Sequence, residues 1–279
     1  MNSCQKYFSA CALALLTQAA FAQSAPNLGA ASSYAVLSAA PGLGGAVTCT
    51  DSAISGDVGS SGLAASITQT RCTISGNAVA PVSQAVVDGF NAAYDSLNNM
   101  GPCDSAHTLT GTLAGVTLTS PGVYCVDSVA KTGTLTLSGP SNATWIFLID
   151  GALTGTNFSV VADGTQACNV YWQADAAATM TTSHFIGTVL AGAAITVTGG
   201  TFTGDVLASA AGTLTGASVT GCVAGVPNPA PAKLKCNQGV GNGPESCDPG
   251  NSNQGNPFRS NDELGGVPGK PGRKGGNTK

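Results

Sequence analysis

Apolar and hydroxyl-bearing positions alternate through much of this chain, most plainly in "ITVTGGTFTGDVLA" (195–208), where Ile195, Val197, Phe202, Val206 and Ala208 can face inward while Thr196 and Thr198 face out. A period of two marks a strand with one buried face, and β-branched threonine suits a pleated surface. Gly199, Gly200 and Gly204 fall where the alternation breaks, which marks corners.

The pattern repeats. "TVLAGAAITVTGGTFTG" (188–204) laid over "DVLASAAGTLTGASVTG" (205–221) matches at more than half of its positions without a gap, a repeat of 17 residues. Its core recurs in "ATMTTSHFIGTVLA" (178–191), "ALTGTNFSVV" (152–161) and "VAKTGTLTLSG" (129–139), and again near the start in "VTCTDSAISGDVG" (47–59) and "ITQTRCTISGNAV" (67–79). Short Thr/Val/Gly units at fixed spacing predict a mainly β fold in which coils stack as a β-helix (β-solenoid). A coil of this length supplies about three short strands, which gives a roughly triangular section.

One stretch departs from that period. Residues 80–100 carry Val82, Val86, Phe90, Ala93, Leu97 and Met100 at helical spacing, with Pro81 near the start and Gly101-Pro102 after the end. They predict one long helix with its apolar stripe against the solenoid, and Phe90 and Tyr94 are expected to pack rather than to form a ligand box.

The ends read differently. Residues 1–22 have a Lys-bearing start, an apolar run from Phe8 to Leu16 and "AFA" before Gln23, the pattern of a secretory signal peptide, and the run is too short to span a bilayer. The expected organisation is therefore a leader at 1–22, a solenoid domain at 23–224 and a Pro/Gly/Asn-rich tail at 225–279 without apolar periodicity. The expected location is secreted, with periplasmic or cell-surface placement as variants, and no membrane partner.

Charge narrows the choice of partner. Charged residues make up 9% of the chain and the formal net charge is −4, against roughly 25% charged in ordinary soluble proteins. With no basic stripe to hold phosphates, nucleic acid is excluded as a partner. Beyond the leader stand Cys49, Cys72, Cys103, Cys125, Cys168, Cys222, Cys236 and Cys247, an even set that in an exported chain suggests disulfides. Many pairings are possible, and neighbour to neighbour is the expectation. No C-x-x-C occurs, and His107 and His184 are the only histidines, so no metal site and no cofactor are expected.

A secreted β-helix could also be a lyase or glycosidase, which needs two placed carboxylates or acids holding a cation beside Arg or Lys. The acids here are sparse and sit near expected corners. Asp57 and Asp205 follow Gly56 and Gly204 at the same repeat position, where a turn role accounts for them. No G-x-S-x-G, H-E-x-x-H or phosphate loop is present, so no catalytic residue is expected.

What remains is the threonine lattice. Aligning the units puts Lys131, Thr154, Thr181, Thr198 and Thr215 in one rank, Thr134, Asn157, His184, Thr201 and Ser218 in a second, and Val129, Ala152, Thr179, Thr196 and Thr213 in a third. Hydroxyls and methyls would then repeat about 6.7 Å along a strand and about 4.8 Å between rungs. Methyls order water without binding it strongly, and hydroxyls both donate and accept, so such a grid suits a lattice of ordered water.

The same residues carry a resemblance. "NLGAASSYAVLS" (27–38), "SAISGDVG", "SPGVYCV", "ATWIFLIDGALT" (143–154) and "GTVLAGAAITVTGGTFTGDVLAS", with the helix, resemble the microbial ice-binding protein family over residues 27 to 224. The resemblance implies a right-handed discontinuous β-helix with the long α-helix packed alongside and the N-terminal coil beside the C-terminal one. It also implies an ice crystal surface as the partner, bound without catalysis; the expected state of the chain is a monomer. The family's T-[AG]-x-[TN] motif appears as "TGTN" (154–157) and "TGGT" (198–201), with Ser218 closing a near match at 215–218 and His184 and Lys131 interrupting the grid. The site so implied comprises Thr154, Asn157, Thr179, Thr181, Thr196, Thr198, Thr201, Thr213, Thr215 and Ser218. The competing expectation is a secreted adhesive or glycan-binding surface protein.

Overall fold

The computed structural model describes residues 24–222. The expected leader and tail, with Cys236 and Cys247, lie outside those residues. Short parallel strands stack in two hydrogen-bonded sheets. One wall runs, in spatial order, through Ala78–Val79, Asp57–Ser60, Tyr34–Ser38, Val206–Ala208, Thr188–Ala191, Val170–Ala174, Trp145–Ile149, Val123–Val126 and Thr108–Leu109. The other sheet runs through Ile67–Thr70, Val47–Thr50, Gly212–Thr215, Ile195–Thr203, Ala178–Ile186, Leu153–Asp163, Lys131–Ser138 and Val116–Leu118. It continues past a corner through Ser218–Thr220, Ala53–Ser55 and Thr73–Ile74.

The stack is discontinuous in chain order. Val36 pairs with Val206 and Thr50 with Thr215, so the N-terminal coil lies against the last one, the closure that the resemblance implied. The chain then crosses along the wall as a helix before starting the far end of the stack at Thr108. That helix is Gln84–Asn98, 15 residues, or about 22 Å of rise. It is shorter than the expected 80–100 because the amide of Val82 bonds Ser60 O at 2.9 Å, which holds the preceding residues extended along the wall. Val86, Val87, Phe90, Ala93 and Leu97 are buried in one cluster with Leu37, Ile146, Tyr171, Leu190 and Leu207 of the wall. Phe90 is fully packed and stacks on Tyr94, as the periodicity predicted.

Inside the coils, rings stack from rung to rung: Phe147 lies 4.0 Å from Trp172, and Trp172 and Phe202 each lie 5.1 Å from Phe185. The rung repeat of about 4.8 Å is close to ring-stacking distance, so an inward aromatic at one rank packs on the next. Both indoles are satisfied as well, Trp145 donating to Thr165 and Trp172 to Ile186 O. Each such side chain removed from water contributes roughly 1.5–3 kcal/mol.

Disulfides link Cys49 to Cys72, Cys103 to Cys125 and Cys168 to Cys222, each cysteine to its neighbour in sequence. The two aligned aspartates also share one task. Asp57 accepts the amide of Asn77 and Asp205 the amide of Cys222, each residue lying one coil further along the chain. Asp205 is fully buried and takes a second hydrogen bond from the Thr188 hydroxyl, and burial pushes its carboxyl up to about 6.

Candidate functional site

Opposite the inward side chains of the second sheet, threonines line up in register. Thr154, Thr179, Thr196, Thr213, Thr48 and Thr68 form one column across six neighbouring strands, and Thr156, Thr181, Thr198, Thr215, Thr50 and Thr70 form the next. Between the columns Met180, Val197, Leu214 and Cys49 point into the core. Period-two patterning produces this division: one residue of each pair is buried with the core, and its neighbours keep hydroxyl and methyl toward solvent. Every threonine in the two columns is exposed or half-exposed.

The columns end at a corner built from left-handed backbone. Asn157, Thr182, Gly199, Gly216, Asp51 and Arg71 stack there with φ of 48°, 48°, 66°, 63°, 49° and 48°. Glycine adopts this conformation freely and other residues at some cost. Gly200, the next residue in its coil, could hold no side chain, since a Cβ would sit 2.1 Å from Ser183 O. Around this corner hydroxyls are tied across rungs: Thr182 donates to Asn157 Oδ1 at 2.6 Å, and His184 Nδ1 lies 2.9 Å from the Thr201 hydroxyl. Asp51 and Arg71 form an exposed pair at the end of the corner, and the hydrogen bond from Arg71 holds the Asp51 carboxyl below its ordinary value.

The structure changes the expected register in two places. Thr154 pairs with Thr179, and Thr156 takes the place beside Thr181. Although "TGTN" aligns with "TGGT" position for position, Gly155 does not share the corner of Gly199: the left-handed residue in that coil is Asn157, and Gly155 faces inward over Met180, whose sulfur would lie 2.7 Å from a Cβ there. Lys131 does not interrupt the array. It pairs with Gly155 in an inward rank, is 1% exposed, and donates to Asp127 and to Gly111 O near one end of the stack. At Asp127 desolvation works to raise the carboxyl, but hydrogen bonds from Lys131 and Gly111 outweigh it and hold the group below its ordinary value.

Of the ten expected residues, Thr154, Thr179, Thr181, Thr196, Thr198, Thr213 and Thr215 share the two columns. Asn157 stands at the corner, and Thr201 and Ser218 lie just past it, paired with each other. Thr48, Thr50, Thr68, Thr70 and Thr156 were missed. Their signal was present, since "VTCT" (47–50), "ITQT" (67–70) and the "TGT" of 154–156 carry the same Thr-x-Thr spacing and belong to recognised repeat units.

A sugar-stacking platform would need an open aromatic ring. Among the described residues Tyr94 is half-buried, and every other Phe, Tyr and Trp is buried. No group of three or more His, Cys, Asp or Glu that could hold a metal occurs among them, and none of their helices is long and apolar enough to cross a membrane.

A family model described as "Ice-binding-like" matches residues 41–220. Ice-binding protein K3-B1 of Typhula ishikariensis is 33% identical over 218 residues, which cover 68% of this chain and 87% of that protein. An ice-binding protein of Flavobacterium frigoris (strain PS1) is also 33% identical, over 59% of this chain and 64% of its own length, so the match spans less than two thirds of that protein. Among solved structures, an ice-binding protein from the Antarctic ascomycete Antarctomyces psychrotrophicus superposes with a TM-score of 0.60 at 31% identity, covering 71% of this chain and 98% of that one.

Proposed function

Since the chain belongs to the ice-binding-like family, we propose that it is a secreted protein that adsorbs to ice through its Thr-x-Thr wall and so restrains ice growth and recrystallisation, as a monomer and without catalysis. One observation carries this reading: six rungs in succession present threonine at both outward positions, with no charged side chain in either column. The contact comprises Thr154, Thr179, Thr181, Thr196, Thr198, Thr213 and Thr215, extended by Thr48, Thr50, Thr68, Thr70 and Thr156, with Asn157, Thr201 and Ser218 along its corner edge.

The physical argument is one of matching. A parallel stack fixes the rung spacing at about 4.8 Å and the along-strand spacing at about 6.7 Å, so ordered waters above the wall inherit two repeats. Threonine's β-branching leaves its χ1 few options, so little rotamer freedom is lost when a solid surface is met. Methyls between the hydroxyls hold water weakly enough for it to take lattice positions, whereas charges would bind it in their own geometry. Contact with solid water therefore asks little rearrangement of either surface.

The test is the effect of the purified full chain on a single ice crystal held just below its melting point, with recrystallisation followed in a frozen sucrose film. The reading expects faceted crystals, a gap between melting and growth temperatures, and grains that stay small. Unfaceted growth and coarsening as in buffer, across a wide concentration range, would contradict it.

A further inference from the structure

At the corner that ends the Thr-x-Thr wall, a left-handed residue directly follows each threonine of the second column and decides how the chain leaves the plane. Gly199 and Gly216 follow Thr198 and Thr215 and adopt that conformation freely, whereas Thr182 and Asp51 follow Thr181 and Thr50 and adopt it at a cost. Backbone of the costly kind persists only where its surroundings hold it.

In those two rungs a buried serine comes next, and both serines make the same pair of bonds. Ser183 donates to Thr181 O at 3.0 Å and accepts the amide of Phe158 at 3.2 Å. Ser52 donates to Thr50 O at 2.8 Å and accepts the amide of Ala217 at 3.0 Å. Each hydroxyl thus clamps the carbonyl of a wall threonine across the left-handed residue, and takes an amide from the adjacent rung just past that rung's own corner, Asn157 or Gly216. The two serines are 3% and 6% exposed, in an inward rank that also holds Phe158 and Ala217, so their bonds rather than their packing set them apart. Where the left-handed residue is glycine no hydroxyl follows it, the next residues being Gly200 and Ala217. After Arg71 stands Cys72, whose disulfide to Cys49 ties that corner to the adjacent rung.

We propose that Ser52 and Ser183 are positioning residues for ice contact: they hold Thr50 and Thr181 in one plane with Thr198 and Thr215 and do not touch ice themselves. The proposal rests on the reading that the Thr-x-Thr wall contacts ice. Without the hydroxyl, the left-handed neighbour relaxes toward a commoner conformation and the threonine before it turns out of its column. Losing the alignment of Thr50 and Thr181 together leaves only Thr198 and Thr215 side by side.

The experiment measures thermal hysteresis of the purified full chain, at equal concentrations of folded protein, for wild type, Ser52→Ala, Ser183→Ala and the double variant, beside their melting temperatures. Thr165→Val is the comparison, since it removes a buried hydroxyl that accepts from Trp145 and belongs to neither column. Each serine is also replaced together with its left-handed neighbour, as Asp51→Gly with Ser52→Ala and Thr182→Gly with Ser183→Ala, which copies the native corner of Thr215, Gly216 and Ala217. Asp51 and Thr182 lie outside both columns, so neither glycine removes a column threonine.

Positioning predicts a several-fold loss of hysteresis in the double serine variant, a smaller loss in each single one and recovery when glycine is added, with Thr165→Val as active as wild type whatever its melting temperature. Hysteresis equal to wild type in the serine variants, a loss that Thr165→Val matches, or one that glycine does not restore overturns the positioning role and leaves the wall itself standing. A wild type without hysteresis overturns the reading of the wall as well. If the double variant does not fold, the single variants and their glycine counterparts carry the same comparison.

Discussion

Thr215 and Thr50 are register partners in adjacent parallel strands, although they come from opposite ends of the solenoid domain. The threonine columns thus run unbroken across the seam where the chain closes on itself, and the first two coils extend the wall made by the repeat. Thr50→Tyr should therefore lower thermal hysteresis as Thr198→Tyr does, with the melting temperature within a few degrees of wild type, because both sites face solvent. An array confined to the 17-residue repeats would leave the Thr50 variant fully active.

Lys131 gives the opposite expectation. In the sequence it interrupted the grid, and replacing it with threonine ought then to improve ice binding. In the structure it is buried and paired with Asp127, so Lys131→Thr should leave hysteresis per folded molecule unchanged. It should also lower unfolding free energy by about 3 kcal/mol, since Asp127 and Gly111 O lose their charged donor. Urea denaturation and hysteresis on one sample check both halves.

Much of the architecture was open to reading in the sequence because coils repeat inward and outward positions at fixed spacing: the solenoid and the helix over Val86 to Leu97 follow from local pattern, whereas the cysteine pairing, expected neighbour to neighbour, was not selected by the sequence. Register between imperfect coils was not legible either. A glycine beside a threonine reads as a corner, yet Gly155 is an inward position over Met180, and the corner falls two residues on at Asn157, a residue type that enters the left-handed region more readily than most. The inward turn of Lys131 was equally hidden, because its partners Asp127 and Gly111 are brought to it by the stacking of coils.

Asp205 predicts a pH dependence with an unusual sign. Its carboxyl is raised from 3.8 to about 6 by burial, so the folded state holds the proton more tightly than the unfolded chain. The stability this lends is full below the unfolded value and is lost as pH rises through about 6, in all about 3 kcal/mol. Asp205→Asn keeps an acceptor for the Cys222 amide and carries no charge. Urea midpoints should therefore fall for wild type relative to the variant between pH 4 and pH 7, and parallel curves would contradict the assignment.

The Cys168–Cys222 disulfide ties the end of the last coil to the turn before Val170, with a sequence separation of 54. Replacing both cysteines with alanine should cost about 4 kcal/mol, chiefly through the unfolded chain. Neither sulfur lies on the threonine wall, so hysteresis in the cold should persist while the thermal midpoint drops. Calorimetry beside osmometry separates the two effects.

The central claim is tested most directly by thermal hysteresis of wild type, Thr198→Tyr and Asn91→Tyr at equal concentration. Thr198 lies within one threonine column, with Thr181 and Thr215 on either side, and Asn91 is an exposed residue of the helix. A ring at position 198 holds the wall away from a flat solid and should remove most of the hysteresis, while a ring at 91 should leave it intact, both variants melting with wild type. Equal hysteresis in all three, or a loss at 91 and none at 198, would contradict the account.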